Sequence, residues 1–253
     1  MEITEPAARV AYIQADDNGR PYSPNGATAA RGFTFLGYEV RYFRPAELPD
    51  LPLTPETIVV GSVPTIYTAL ERIGVRHPSH VTVPAILQPF LGRACWRTTV
   101  ADVRDANRFP VFVKPYMDSK VFTGRVIKDA ADLEHLLEPR DGFPTITDDF
   151  PLLAQETVTF QSEWRTFVVQ GRVVGMSHYN GDPLLFPAPG VIRATLGAYQ
   201  SQAPAGYSAD FGVTDDGRTL LVEINDGYAL GNGGLVANLY AELLKARWEE
   251  ITA

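Results

Sequence analysis

The chain is 253 residues long, with 45% hydrophobic and 11% aromatic side chains, enough for a sizeable core in one large domain or two small ones. A net charge of −8 argues against a general binder of nucleic acid or anionic membranes. The single cysteine, Cys95, excludes an internal disulfide and a multi-cysteine zinc site. No apolar run approaches the ~20 residues that span a bilayer, and the first residues lack the basic start and apolar core of a signal peptide. A cytoplasmic location is expected.

Residues 10–14 read as a strand, followed by a turn-rich stretch at 16–26 and a helix over 27–36 with Gly37 at its C-cap. Residues 39–43 and 57–61 read as strands, separated by a proline-rich linker at 44–55, and a second helix over 63–73 ends at Gly74. This β-α-β-β-α order predicts a small α/β layer over residues 1–83. His77 and His80 have the spacing of a metal pair, but they flank Pro78 in a loop with no third ligand nearby, so a metal site is not expected there.

A proline-punctuated connection (81–95) and a polar segment (96–109) lead to a buried-looking strand over 110–115 that carries Lys114. Burying an ammonium there is costly unless an anion meets it; the alternative is a strand-end lysine snorkelling to water. The loop 116–124 and the strand 125–127 complete a strand–loop–strand unit with the character of a lid over phosphates. Neither G-x-x-x-x-G-K-[ST] nor G-x-G-x-x-G is present. Asp129 is a natural N-cap for a helix reaching about residue 137. Residues 152–156 form a short apolar strand that exits into Glu156.

A hairpin over 163–179, turning at Gln170-Gly171, places Glu163 opposite His178 and Arg165 opposite Met176 by register arithmetic. Glu163, Arg165 and His178 then share a face, while Trp164, Val168 and Val173 take the other. A surface ion-pair cluster of little energetic worth explains that face equally well. Residues 182–190 are a proline-rich loop, and 191–201, carrying Arg193, suit either a helix or a strand.

The stretch 209–233 reads as a second hairpin about Asp216-Gly217. Symmetry about those two residues places Asp215 opposite Arg218, Val213 opposite Leu220, and Asp210 opposite Glu223. Phe211, Val213, Leu220, Val222 and Ile224 form an apolar face, and Asp210, Gly212, Thr214, Thr219, Leu221, Glu223 and Asn225 the other. Two carboxylates directly opposite repel, and a hard cation between them reverses that repulsion. Asn225 supplies a third oxygen of the kind Mg²⁺ accepts, although a solvated polar face accounts for the same residues. A glycine-rich loop (227–234) then leads into a final helix whose Leu235, Val236, Leu239, Tyr240, Leu243 and Leu244 form a core stripe.

In this order the pieces resemble the ATP-grasp superfamily from about Pro84 onward. The resemblance rests on the Val-Lys-Pro strand end at Lys114, on Glu156 followed seven residues later by Glu163, and on Asp210, Glu223 and Asn225 at spacings of thirteen and two. K-P-x-x-x-x-K-x-F-T-G (114–124) and E-W-R-x-F around Arg165 are similar to a small ATP-grasp clade labelled by an arginine-lysine signature. The resemblance implies an α+β ATP-grasp fold of two subdomains gripping ATP over 84–253 (lid about 110–155, C-terminal subdomain about 156–253), preceded by the α/β pre-ATP-grasp layer of 1–83. It implies that Lys114 approaches the adenine and α-phosphate, that Gln155 and Glu156 form the adenine hinge, and that Glu163 holds the ribose. Asp210, Glu223 and Asn225 would hold Mg²⁺, with two ions expected. Where many members have an upstream lysine, this chain has Arg97 or Arg104, so Lys120, Arg165 and Arg193 are the other cations expected at the reacting phosphate, with Lys120 and Arg165 also binding nucleotide. Arginine and lysine are not equivalent in that role.

The activity implied is an ATP-dependent carboxylate–amine ligase that works through an acyl phosphate and releases ADP and phosphate. Its partners are small-molecule carboxylate and amine substrates, an amino acid or peptide among them, rather than nucleic acid or membrane. A nucleotide-binding module without turnover and a phosphotransferase are the competing readings. No catalytic triad is visible. Asp226 points away from Asn225 by alternation, and His178 is expected to pair with Glu163. Acceptor recognition is expected from the amino-terminal layer and from the loops at 16–25, 182–190 and 227–234.

Overall fold

The computed structural model describes residues 9–78, 83–116, 121–139 and 144–253. Its amino-terminal layer is a parallel sheet in the order β2-β1-β3, from β1 (Val10–Gln14), β2 (Glu39–Phe43) and β3 (Ile58–Val60). Helix α1 (Pro24–Phe35) begins three residues ahead of the expected start. The Ser23 hydroxyl accepts the Gly26 N–H at 3.2 Å, and Pro24 stands at the first helical position. Helix α2 spans Val63–Arg72. Gln14 Oε1 accepts from the Ser62 N–H and the Thr65 hydroxyl, both at 2.8 Å, and so ties the end of β1 to the start of α2. His77 stacks on Tyr67, and His80 lies outside the described residues.

The polar segment 96–109 is more ordered than its composition predicts. It forms most of β4 (Cys95–Thr99) and then α3 (Val100–Ala106). Thr99 and Asp102 exchange side chain-to-backbone hydrogen bonds of 3.2 and 3.1 Å, a capping box. With β5 (Val111–Pro115), β6 (Arg125–Ile127) and β7 (Pro151–Gln155), β4 builds an antiparallel sheet in the order β4-β7-β5-β6. Helices α3 and α4 (Ala130–Leu137) cover one face, burying Val100, Val113, Leu133, Leu136, Leu152 and Ala154. Asp129 caps α4 as expected, accepting the Asp132 N–H at 2.9 Å.

The third sheet, order β11-β10-β8-β9, is antiparallel throughout: β8 (Phe160–Val169), β9 (Arg172–Gly181), β10 (Gly206–Thr214) and β11 (Thr219–Asp226). The ambiguous stretch before β10 is a helix, α5 (Pro189–Tyr199). Its Ile192 and Tyr199 pack with Val168, Tyr207, Ala209 and Phe211 on one face of the sheet. By strand alternation, Arg165, Phe167 and Asp210 project from the other face.

β-Bulges correct both predicted registers. In the second hairpin the turn takes three residues, 215–217, with Gly217 at φ +79°, so Val213 pairs with Thr219 rather than Leu220. Asp215 and Arg218 lie in the turn region instead of facing each other as strand partners. A register shift after Asp210 leaves Val222 as an extra residue and restores the Asp210–Glu223 pairing. Phe211 therefore pairs with Leu221, which joins the α5-side core, while Leu220 pairs with Gly212. In the first hairpin two shifts place Glu163 opposite Asn180, Arg165 opposite Ser177 and Trp164 opposite His178. His178 consequently shares a face with Trp164, 5.2 Å between rings, and not with Glu163.

The final helix, α6 (Ala237–Thr252), begins after Leu235 and Val236. Its Tyr240, Leu243, Leu244 and Trp248 share a core with Phe33, Ile66 and Leu70 of the amino-terminal layer and with Phe167. Gly32 permits the approach of α1 to α6, since a Cβ there would stand 2.0 Å from the Ala237 carbonyl oxygen. No helix among the described residues is long and apolar enough to cross a membrane.

Candidate active site

Pairing across the third sheet lines up Glu223, Asp210, Arg165 and Ser177 in one lateral row on the face away from α5. Glu163, Gly212 and Asn180 make the next row towards the strand ends, and Asn225 lies beyond the first. The second sheet meets this face. Its Lys114, Phe112 and Gln155, with Glu163, Glu223 and Arg93, line a cleft of about 390 Å³ between the two.

Every charge in the row is matched. Arg165 donates to both Asp210 oxygens, Nε to Oδ1 at 2.9 Å and Nη2 to Oδ2 at 2.7 Å. Lys114 Nζ crosses the cleft to Glu223 Oε2 at 2.9 Å. The Asn225 amide nitrogen lies 3.4 Å from Asp210 Oδ2 and 3.1 Å from Glu223 Oε1, bridging the carboxylates. Asp210 is only 1% exposed. Burial pushes its carboxyl up to about 6, against the pull of the Arg165 fork. Burial acts on Glu223 in the same direction, but Lys114, Asn225 and Arg165 together outweigh it and hold that carboxyl below its usual range. Arg165 loses hydration by burial yet is held above the usual range by Asp210.

Two facing carboxylates and a neighbouring carboxamide form a hard-oxygen donor set suited to Mg²⁺. The fit is conditional on charge. Two anions and two cations already sum to zero, so a bare divalent ion meets no net attraction. An ion arriving with a polyphosphate brings the negative charge that Lys114 and Arg165 can turn to.

The remaining expected residues divide. Glu163 accepts from the Tyr179 hydroxyl at 2.9 Å and from Asn180 Nδ2 at 2.6 Å at the cleft wall. Burial, together with Asp210 and Glu163, pushes the Tyr179 hydroxyl well above its usual range. Glu156 closes the hinge end, its Oε2 accepting the Ala94 N–H at 2.8 Å. Lys120 lies outside the described residues. Arg193 is corrected: it stands on α5, beside a separate cavity shared with Gln170 and Gln200, with the sheet between it and Asp210. A helix was one of two options for that stretch, and α5 packs on the wrong face for Arg193 to reach the row.

Arg97 shares a sheet face with Lys114, because Arg97 and Lys114 both pair with Leu153. Its guanidinium packs 4.0 Å over the Tyr116 ring. Arg104 is held by Glu134 and Asp148 on the helix side. Asp226 points away from the row, as alternation predicts, and is bound by both ends of the Arg247 fork at 2.7 and 2.6 Å. Among the acceptor loops, Asn25 Oδ1 accepts the Asn232 N–H at 3.1 Å, joining the start of α1 to the glycine-rich loop. Gly233 lies against that end of the row, its Cβ position 3.8 Å from Arg165 Cδ. The 182–190 loop instead packs Phe186 on Trp164, on the other face.

Sequence reasoning missed Arg93, Phe160, Tyr179 and Asn180. Asn180 and Tyr179 were hidden by the unforeseen register shift. Arg93 had no motif around it.

A family model described as an ATP-grasp domain, family 2 of the arginine-lysine clade, matches residues 90–243. No curated protein matches the chain. The fold is similar to a RimK-domain ATP-grasp protein from Sphaerobacter thermophilus DSM 20745, at TM-score 0.57 and 16% identity over 94% of this chain and 99% of that one. It is similar to D-alanine–D-alanine ligase from Bacillus anthracis complexed with ATP, at 0.58 and 15% over 98% and 97%. N5-carboxyaminoimidazole synthetase from Staphylococcus aureus gives 0.56 and 12% over 94% and 77%. The mixed helices and sheets, the expected order of site-bearing strands and a family model spanning more than half of the chain agree: this chain is an ATP-grasp protein and belongs to family 2 of the arginine-lysine clade.

Proposed function

We propose that the chain is an ATP-dependent carboxylate–amine ligase that works through an acyl phosphate. The observation that carries this reading is the row Glu223–Asp210–Arg165, faced across the cleft by Lys114. A donor set for a hard metal and two cations for phosphate converge there, with no nucleophile of the protein's own. Names among the similar folds, two of them ligase or synthetase, support the general chemistry.

A substrate carboxylate oxygen attacks the γ-phosphorus, and the bond to the β–γ bridging oxygen breaks with departure of ADP. The amine nitrogen then attacks the acyl carbon, expels phosphate and gives up a proton. Mg²⁺, held by Asp210, Glu223 and Asn225, supplies charge neutralisation for the transferring phosphoryl group. Lys114 and Arg165 give up part of their pairing with the carboxylates and turn to phosphate oxygens, acting by position and charge. Gln155 and Glu156 at the strand end bind the base, and Glu163 with Asn180 binds the ribose. Substrates enter where the glycine-rich loop meets the start of α1.

The test is phosphate release from ATP and Mg²⁺ in the presence of pooled amino acids or peptides. Turnover that Asp210→Asn and Glu223→Gln each reduce by at least about 100-fold, the scale of lost electrostatic stabilisation, supports the assignment; turnover unchanged in both removes it. The full engagement of Asp210 by Arg165 favours one second reading, a module that binds nucleotide without turning it over. ATP-dependent thermal stabilisation with no phosphate release against any acceptor pool would select it.

A further inference from the structure

Arg93 stands between the two sheets and is bonded to both. Its Nε donates to Gln155 Oε1 at 2.8 Å, at the end of β7. Its Nη1 donates to the carbonyls of Leu91 and Leu221, and its Nη2 to that of Val222, all at 2.9 Å. Burial lowers the guanidinium's affinity for its proton, so the site bears a desolvation cost that its hydrogen bonds must offset. The Phe160 ring lies 5.9 Å from the guanidinium carbon.

The two β11 carbonyls are informative. In a regular strand, successive carbonyls point to opposite edges. Here two in succession reach one guanidinium, at the bulged residue Val222. β11 is an edge strand, so without Arg93 these acceptors would have no neighbouring strand to satisfy them. The same bulge decides whether Glu223 faces Asp210, because without its extra residue the alternation turns Glu223 to the other face.

We propose that Arg93 is a positioning residue for the nucleotide site: it clamps the β11 bulge that aims Glu223 at Asp210, and by the same fork fixes the Gln155 side chain on the opposite wall. This rests on the nucleotide-binding reading above and adds a residue that touches neither reacting atoms nor metal. A lysine is no substitute, since one ammonium on a flexible stem does not reproduce a planar fork spanning four acceptors.

The experiment compares ATP affinity with and without Mg²⁺ for the wild type, Arg93→Lys and Arg93→Met, by calorimetry, after circular dichroism has shown each chain folded. A role confined to holding the cleft together lowers both affinities by one factor. Positioning of Glu223 predicts that the gain in affinity from Mg²⁺ shrinks by about 10-fold in both variants, the scale of lost metal-site supporting contacts. Folded variants that keep the wild-type gain to within about twofold overturn the proposal. Should neither variant fold, the wild type decides by NMR: the Arg93 Nε–H resonance is expected to be slow in exchange and to shift with MgATP, and an unmoved resonance overturns the proposal. Absence of MgATP binding by the wild type would instead defeat the nucleotide reading itself.

Discussion

Asp210 is the residue on which the site turns. Its folded carboxyl titrates near 6 because burial raises it, and a metal ligand must be deprotonated. The sign follows directly: above about pH 6 the carboxylate is available, and below it the proton competes with the ion. MgATP affinity is therefore expected to fall by about tenfold per pH unit below about pH 6. Calorimetry between pH 5 and 8 checks this, against metal-free ATP as the control for titration of the phosphates. Asp210, Glu223, Asn225 and Lys114 were legible in the sequence because their spacings are fixed by strand geometry and a single hairpin. Arg93 was not, since its partners are backbone carbonyls about 130 positions downstream and carbonyls carry no residue signature. Arg193 misled because its stretch fits a strand as well as a helix, and only packing of Ile192 and Tyr199 decides which face of the sheet it serves.

At the scale of elements, the hairpins show what pattern reading loses. Existence and order of β8 to β11 followed from alternation and turn residues, yet each register slipped by a residue at a bulge. Asp210 still met Glu223 because a longer turn and a bulge cancel. Glu163 lost His178 and gained Tyr179 and Asn180 because nothing cancels the shifts in its hairpin. Gly212 gives the element-scale prediction. A Cβ there would lie 2.2 Å from Phe160 Cδ1, so Gly212→Ala must displace that ring towards the nucleotide cleft it lines. The expected result is a stability loss of about 1–3 kcal/mol together with weakened MgATP binding, measured by urea unfolding and calorimetry. Unchanged affinity would separate Phe160 from the site.

Across the whole molecule, the amino-terminal layer is joined to the nucleotide-binding part by a common core as well as by sequence. Phe33, Ile66 and Leu70 pack with Tyr240, Leu243 and Trp248, contacts that cross the division expected near residue 83. Gly32 is the closest point, its Cβ position 2.0 Å from the Ala237 carbonyl and 2.7 Å from Ala241 Cβ. Gly32→Val is expected to cost about 1–3 kcal/mol or more, and a fragment starting at residue 84 to unfold at lower temperature than the full chain, both read by thermal melts. An unaltered melting temperature in either would mean that the layer docks without sharing stability. The shared core also sets Asn25 against Asn232, which keeps the proposed substrate entrance beside the metal-binding row.

The account stands or falls on whether MgATP enters among the paired charges of Asp210, Arg165, Glu223 and Lys114. Titration calorimetry with MgATP, with Mg²⁺ alone, and with MgATP on Asp210→Asn and Glu223→Gln measures this directly. Saturable heat for MgATP, little for Mg²⁺ alone and a marked loss in both variants is the predicted result. No heat with MgATP, or equal heat in the wild type and both variants, would contradict it.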